Sequence, residues 1–304
     1  MTSEATAAAA APEDLSPHVS LTADVWRRFG RNRLALIGLA IVIVLLVCAI
    51  FAPLISSFDP NAIDTSIMGT PESPSWHHLF GTDVDGRDYF SRMLFGARIS
   101  LEVGFSAMIV AVTFGTFYGS ISGFFGGAID AVMMRFVDMM LSFPTFFLIL
   151  AVEALTNNFN IVVIMLVIGG LSWMGVARLV RSQILSLRER DYISAARAVG
   201  AGDGRIMWRH LLPNALSPVI VAATLAIGDN ILTESALSFL GLGVQPPTSS
   251  WGNSLQRALD PDVLASPWLT FIPGLLIVIT VMAFNFIGEG LRDALDPRSG
   301  GGRA

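Results

Sequence analysis

The side chains of this chain best placed to do chemistry interrupt a long apolar stretch near residues 215–239. Asn230, Glu234 and Ser238 recur every fourth residue and so share one helix face, with Asp229 just beside it. A charge exposed to lipid costs about 2.5–3.5 kcal/mol on insertion scales, so we expect this face to turn toward a central, water-filled cavity. The alternative is that Glu234 lies near the external interface, where it reaches water or caps a neighbour.

Covalent catalysis is disfavoured by the residue types that are missing. All 19 lysine-or-arginine positions are arginine, and the absence of lysine excludes a P-loop and a lysine Schiff base. Cys48 is the single cysteine and lies in an apolar segment, which argues against thiol catalysis. The sequence has no His-Glu-x-x-His or Gly-x-Ser-x-Gly motif and no histidine within an apolar stretch. A membrane enzyme, such as an intramembrane protease, is therefore not favoured.

A second polar cluster resembles a metal loop but lacks the spacing of one. An EF-hand needs a third acid where Arg87 stands, and it needs a distal glutamate that is absent. The pair His77-His78 has no further ligand nearby in the sequence. We expect no metal site and an internally paired surface loop instead. The charges available for this pairing are Asp83, Asp85, Asp88, Arg87, Arg92 and Arg98.

The composition is that of a protein that crosses a membrane several times. Hydrophobic residues fill 53% of the 304 positions, and charged residues fill only 14%. Six apolar stretches approach the roughly 20 residues that a bilayer core requires, and backbone pairing in lipid favours helix. The predicted spans are 34–56, 99–123, 132–155, 161–180, 215–239 and 268–289. The predicted fold is an all-α polytopic membrane protein with six transmembrane helices.

The distribution of arginine predicts how these helices are oriented. If both termini are cytoplasmic, fifteen arginines lie inside and four lie outside, as the positive-inside rule requires. This orientation places the polar segment 178–212 in the cytoplasm. Residues 1–23 are predicted to be a disordered cytoplasmic tail because alanine, proline and serine dominate their composition.

The polar segment Asp191–Asn214 is predicted to fold as two short helices joined by a glycine turn. Alanines 195, 196 and 198 favour the first helix, and Gly200 ends it. Asp203 is placed to cap a second helix over 205–211, which Pro213 is expected to stop. A compact knob of this kind on one face of a membrane protein indicates that something docks there.

This segment resembles the EAA loop of permease subunits of ATP-binding-cassette importers. The family pattern is Glu-Ala-Ala, three residues, glycine, nine residues, then an aliphatic residue, any residue and Leu-Pro. Ser194 replaces the glutamate and His210 the aliphatic residue, whereas the glycine and Leu-Pro positions are kept. The resemblance implies an ATPase-docking site formed by Ser194, Ala195, Ala196, Gly200, Asp203, Arg205, His210 and Pro213.

Four further phrases resemble the DppC/OppC type of permease from dipeptide, oligopeptide and nickel importers. They are WRRFGRNRLALIGL from Trp26, GTDVDGRDYFSR from Gly81, MRFVDMMLSFP from Met134 and LSFLGLGVQPP from Leu237. The resemblance covers about residues 24–298. It divides the chain into an N-terminal segment with the first helix and external loop (24–98), a core permease domain (99–290, coupling loop 188–213) and a cytoplasmic tail (291–304).

The resemblance implies an importer of dipeptides or oligopeptides in the bacterial inner membrane, working by alternating access. The implied partners are a second homologous permease of the DppB/OppB type, two ABC ATPase subunits, an external solute-binding protein and membrane lipid, with no nucleic acid. ATP and Mg would be bound by the ATPases, leaving this chain without a cofactor. Asn230, Glu234 and Ser238 would line the translocation path. Nickel or oligosaccharide remains an alternative cargo, and a stand-alone secondary transporter is a weaker alternative.

Overall fold

The computed structural model describes residues 21–156, 160–258 and 260–296, and its regular structure there is helical. The α-helices are α1 Leu21–Phe29, α2 Arg33–Ile50, α3 Ala52–Ile55, α4 Tyr89–Phe125, α5 Gly127–Leu141, α6 Thr145–Thr156, α7 Ile161–Arg188, α8 Asp191–Ala198, α9 Asp203–Ile206, α10 Leu212–Phe239, α11 Trp251–Ser254, α12 Pro261–Leu264 and α13 Trp268–Leu295. A π-helical turn, Met207–Leu211, joins α9 to α10. The predicted all-α polytopic fold is confirmed. Of the predicted tail 1–23, residues 1–20 lie outside the described part, and 21–23 begin α1.

Within the part of the chain that the structure describes, five helical units are long and apolar enough to cross a membrane by themselves. They are α2, α4, α7, the continuous unit Asp203–Phe239 that contains α10, and α13. The span predicted at 132–155 is instead a bent pair, in which α5 and α6 meet at 79°. Pro144 explains the break, because proline lacks a backbone N–H and disfavours helical geometry in the residue before it.

Several helices extend beyond the apolar stretches that predicted them. Helix α4 begins at Tyr89 rather than residue 99, because the Asp88 side chain accepts a hydrogen bond from Ser91 N at 2.8 Å and caps it. The division drawn at residues 98 and 99 therefore falls inside this helix. At the other end of the chain, α13 runs without interruption to Leu295, so the first five residues of the predicted tail 291–304 belong to this helix.

Helices α4 and α7 pack against each other more extensively than any other described pair. Gly115, Gly119 and Gly123 lie every fourth residue along the contact, where a Cβ would collide with backbone carbonyl groups of α7. The small side chains let the two backbones approach closely, as is common between helices in membranes. These three glycines therefore serve the packing of α4 on α7.

The remaining long helices complete the bundle and leave an apolar outer surface. Helix α13 packs between α2 and α10, and α10 also contacts α4 and α7. Large apolar side chains such as Ile50, Val132, Phe147 and Phe271 are each at least 65% exposed on the single chain. A surface of this kind is stable only when lipid or another membrane subunit covers it.

Candidate functional site

The predicted polar face of α10 is buried against neighbouring segments. Glu234 is fully buried, and its carboxylate accepts hydrogen bonds from Ser238 Oγ at 2.7 Å and from Ser100 Oγ of α4 at 3.3 Å. Backbone groups of the segment after α10 bind the same hydroxyls, with Val244 N donating to Ser238 and Trp251 N to Ser100. We call this network the hydroxyl cage. It fastens α4, α10 and the 244–251 segment together.

Burial encloses Glu234 and Ser238, two of the three residues predicted to line the translocation path. In this structure Glu234 and Ser238 are both buried, and hydroxyl groups donate hydrogen bonds to the carboxylate. Asn230 is also nearly buried, and its amide donates to the carbonyl oxygen of Gly104 at 3.4 Å, but its side chain does border a cavity. The alternative in which Glu234 interacts with its neighbours describes this conformation better.

An open cavity borders α10 on the helix face next to the one that carries Asn230, Glu234 and Ser238. It has a volume of about 300 Å³ and is bounded by α6, α7 and α10 with the end of α5. We call it the chamber. It is lined by one aromatic side chain, Phe146, and by the polar side chains of Thr145, Ser172, Asp229, Asn230 and Thr233. The sequence signal that points to it is the pair Asp229 and Thr233, which also lie four residues apart.

At the opposite end of α10 the polar segment forms a compact knob, comprising residues 191–211. Helix α8 ends where Gly200 adopts a φ of +86°, a conformation that favours glycine. Ala201 N then donates back to Ala196 O at 3.0 Å, closing the helix end. Helix α9 follows with Gly202 at its N-cap. The predicted order of helix, glycine turn and helix is therefore observed.

The predicted cap and stop of the second short helix are both wrong. Asp203 is the first residue of α9 and makes no side-chain capping bond, although its charge suits a helix N-terminus. Pro213 does not stop the helix, because the preceding π-helical turn is wide, with Leu212 N–H donating to Met207 O. The knob thus continues directly into the membrane span.

Three isoleucine and leucine side chains anchor the knob to the bundle. Ile193, Ile206 and Leu211 are fully buried and belong to one apolar cluster with Val180 and Ile184 of α7. Burying side chains of this size contributes about 1.5–3 kcal/mol each. The knob is therefore packed against α7 while being continuous with α10.

The outer surface of the knob carries most of the predicted docking residues. Ala195 is exposed, so close packing against its small side chain requires a surface outside this chain. The sequence interpretation missed three exposed apolar side chains on the same knob: Tyr192 (43% exposed), Trp208 (65%) and Val199 (85%). The predicted docking residues are Ser194, Ala195, Gly200, Asp203, Arg205 and Pro213, all exposed, and Ala196 and His210, partly buried.

The charged loop on the face opposite the knob is internally paired, as predicted. Asp83 accepts from Arg87 Nε at 2.8 Å and lies 3.3 Å from Arg92 Nε, and Arg87 also binds Asp85. Beside this network, the Asp88 carboxylate lies 2.8 Å from His78 Nδ1. Among the described residues, no group of three or more side chains could hold a metal ion.

Arg257 connects this charged loop to the segment before α12. Its guanidinium donates to Asp260 at 2.6 Å and lies 3.4 Å from Asp85. The hydrogen bond that Arg257 donates to Asp260 and the negative charge of Asp85 raise the pKa of the Arg257 guanidinium above its ordinary value. Because about half of the Arg257 side chain is exposed, its ion pair with Asp260 contributes little to the free energy of unfolding.

A helical membrane bundle with a chamber at mid-depth and a rigid knob on one face has the architecture of a transmembrane transport subunit. Residues 115–300 match the family of binding-protein-dependent transport system inner membrane components. Residues 20–73 match the N-terminal transmembrane domain of oligopeptide transport permease C. The chain therefore belongs to the binding-protein-dependent transport permease family.

Full-length relatives agree with this assignment. The dipeptide transport system permease protein DppC of Alkalihalophilus pseudofirmus is 43% identical over 94% of this chain and 93% of its own length. The oligopeptide transport system permease proteins OppC of Haemophilus influenzae and Bacillus subtilis are 42% and 39% identical, each over 92% of this chain and 89% and 90% of their own lengths.

Proposed function

We propose that this chain is a permease subunit of an ATP-driven importer of dipeptides or oligopeptides, working by alternating access. The observation that carries the proposal is the near full-length similarity to DppC and OppC permeases. The chamber and the knob supply what such a subunit needs, namely a polar compartment at membrane depth and a rigid surface for an energy source.

The proposed assembly places this chain in the bacterial inner membrane with both termini and the knob in the cytoplasm. This orientation follows the positive-inside rule, because it assigns fifteen of the nineteen arginines in the sequence to the cytoplasmic side. The partners are a second homologous permease, two ATPase subunits and an external solute-binding protein. The ATPases bind ATP and Mg, and this chain makes no covalent bonds.

The knob transmits motion because both of its attachments are stiff. Its buried side chains move with α7, and its second short helix is continuous with α10. The exposed residues Tyr192, Val199 and Trp208 provide apolar contacts that an ATPase groove would cover. When nucleotide closes the ATPases, displacement of the knob reaches the wall of the chamber without passing through a flexible loop.

Gly200→Val tests this coupling. A Cβ at Gly200 would meet no atom within 4 Å, so its cost is conformational and comes from the φ of +86°. A non-glycine residue in this region costs about 1–2 kcal/mol, so the turn should rearrange. We expect Gly200→Val to reduce ATPase binding and peptide-stimulated ATP hydrolysis in the purified complex.

Gly202→Val is the matched control, because Gly202 has an ordinary φ of −70° and also faces open space. It should lose only the few tenths to 1 kcal/mol that separate valine from glycine at an N-cap. If Gly200→Val binds ATPase and couples hydrolysis to transport as well as Gly202→Val does, the coupling mechanism is refuted. If the complete wild-type complex imports no peptide, the proposed function itself is refuted.

A further inference from the structure

The chamber has the chemistry of a cation site, and Asp229 is its central group. Of the described residues that line it, Asp229 is the one with an ionisable side chain. No hydrogen bond or ion pair joins its carboxylate to another described residue, and the residue is exposed to the cavity. Glu234, only five positions away, is instead fully enclosed by hydroxyls. A carboxylate held at this depth without a partner within the described chain requires a ligand or water.

The hydroxyls beside Asp229 are oriented to accept hydrogen bonds rather than to donate them. Thr233 Oγ1 donates its proton to Asp229 O at 2.8 Å, and Ser172 Oγ donates to Ile168 O at 2.7 Å. Each hydroxyl has one proton, so both present oxygen lone pairs to further donors. The Asn230 amide likewise donates to Gly104 O, away from Asp229. Several acceptors and one negative charge thus surround one space.

An ammonium group matches this set better than a nickel ion does. It carries three N–H donors and no acceptor, which is the complement of a carboxylate and two hydroxyl oxygens. Among the described residues that line the chamber there is no histidine or cysteine, the ligands that nickel and similar metals favour. Phe146 and Met174 bound the remaining space with apolar surface that suits an uncharged side chain.

The depth of the site agrees with a role in passage across the membrane. Asp229 lies ten residues before the end of α10, and Ser172 lies eleven residues after the start of α7. At 1.5 Å per residue, both are roughly 15 Å below the same end of the bundle, near the middle of a hydrocarbon core about 30 Å thick.

We propose that Asp229, with Thr233 and Ser172, binds the positively charged amino terminus of a peptide while it occupies the chamber. The inference rests on the proposed function, and it adds a substrate-contacting residue inside the permease. Recognition of one end of the cargo fixes its orientation without selecting its side chains.

The test uses the complete complex with its binding protein, reconstituted in vesicles, and compares Asp229→Asn with wild type. The first substrate is trialanine, and the second is N-acetylated trialanine, both supplied at concentrations that saturate the binding protein. Loss of a charge-assisted hydrogen bond should lower the maximal import rate of trialanine about 10- to 100-fold, with much less effect on the acetylated peptide. Asp262→Asn, the same change on an exposed residue of α12, is the control.

Two results would overturn the inference. One is import of trialanine by Asp229→Asn at the wild-type rate, and the other is an equal loss for both peptides, which would indicate a structural or subunit contact. An acetylated peptide containing lysine distinguishes the source of the ammonium group, since its dependence on Asp229 would assign binding to side-chain amines. Failure of wild type to import any peptide would instead refute the proposed function.

Chemical rescue keeps the test valid if Asp229→Asn assembles poorly. In a Cys48→Ser background, Asp229→Cys should import trialanine slowly. Modification with an anionic sulfonatoethyl thiosulfonate reagent should restore import, and a cationic trimethylammonium reagent of similar size should not. Equal responses to the two reagents would contradict a role for negative charge.

Discussion

The seam between α4 and α7 is packed so closely that adding one methyl group should separate the helices. A Cβ built on Gly119 would lie against the carbonyl oxygen of Ala177, closer than the 2.7 Å and 2.9 Å found at Gly115 and Gly123. The obstructing atom belongs to a helix backbone, so no side-chain rotation can relieve the collision. We expect Gly119→Ala to lower the free energy of unfolding by about 1–3 kcal/mol, the usual cost of overpacking.

Gly170→Ala provides the matched control within the same helix pair. Gly170 lies in α7, where a Cβ would meet nothing within 4 Å. Alanine at a helical position without collisions should stabilise by about 0.5–1 kcal/mol relative to glycine. Since both variants add the same methyl group, their difference of about 1.5–4 kcal/mol measures the seam rather than the change in composition.

The assay is thermal unfolding of the permease in the detergent-solubilised complex, followed by the fraction that stays monodisperse after heating. The loss of stability should increase as the added Cβ comes closer to the α7 carbonyl oxygen. Gly119→Ala should therefore be less stable than Gly115→Ala, which in turn should be less stable than Gly123→Ala. If Gly119→Ala unfolds at the same temperature as Gly170→Ala or above it, close packing does not hold this seam.

Substitutions at two further positions, Glu234 and Asp88, test the contacts that hold the end of the bundle opposite the knob. Glu234→Leu leaves the buried hydroxyl of Ser238 without its carboxylate acceptor and should destabilise the protein by about 1–3 kcal/mol. Glu234→Gln keeps an acceptor and should unfold at nearly the wild-type temperature. Equal unfolding midpoints for the two variants would contradict the hydroxyl cage. Asp88→Ala removes the side chain that caps α4 at Ser91 N and contacts His78, and should lower the free energy of unfolding by about 0.5–2 kcal/mol in the same assay. Asp88→Asn should retain most of the capping. An unfolding midpoint of Asp88→Ala equal to that of wild type would argue against the cap.

The sequence predicted the spans that depend on apolar length and missed features that depend on contacts. Five long helical units coincide with predicted apolar stretches, because lipid demands continuous helix whatever the neighbours do. The early start of α4 was not predictable from hydropathy. Its first turns carry Arg92, which is 4% exposed and offset by Asp83 from the loop before the helix. Only the folded loop makes that burial possible.

The rotation of α10 was harder to predict than its position. A spacing of four residues shows that Glu234 and Asn230 share a face, but not which neighbour that face meets. The prediction assumed that water would satisfy a carboxylate in a span, whereas Ser100 and Ser238 satisfy it in the structure. Asp229 is the residue before Asn230 and so lies on a neighbouring face of α10, where it borders the chamber formed with α6 and α7.

The continuity of residues 203–239 brings the knob, the chamber and the hydroxyl cage onto one helical unit. At 1.5 Å per residue this unit is roughly 55 Å long, so its two ends lie on opposite faces of the membrane. The hydroxyl cage holds one end to α4, while the knob holds the other end to α7. Pro218 lies between the knob and Asp229 and lacks the N–H that would continue the helical bonding. A displacement of the knob would therefore bend the unit near Pro218 and move the chamber wall, with the caged end serving as the fixed point.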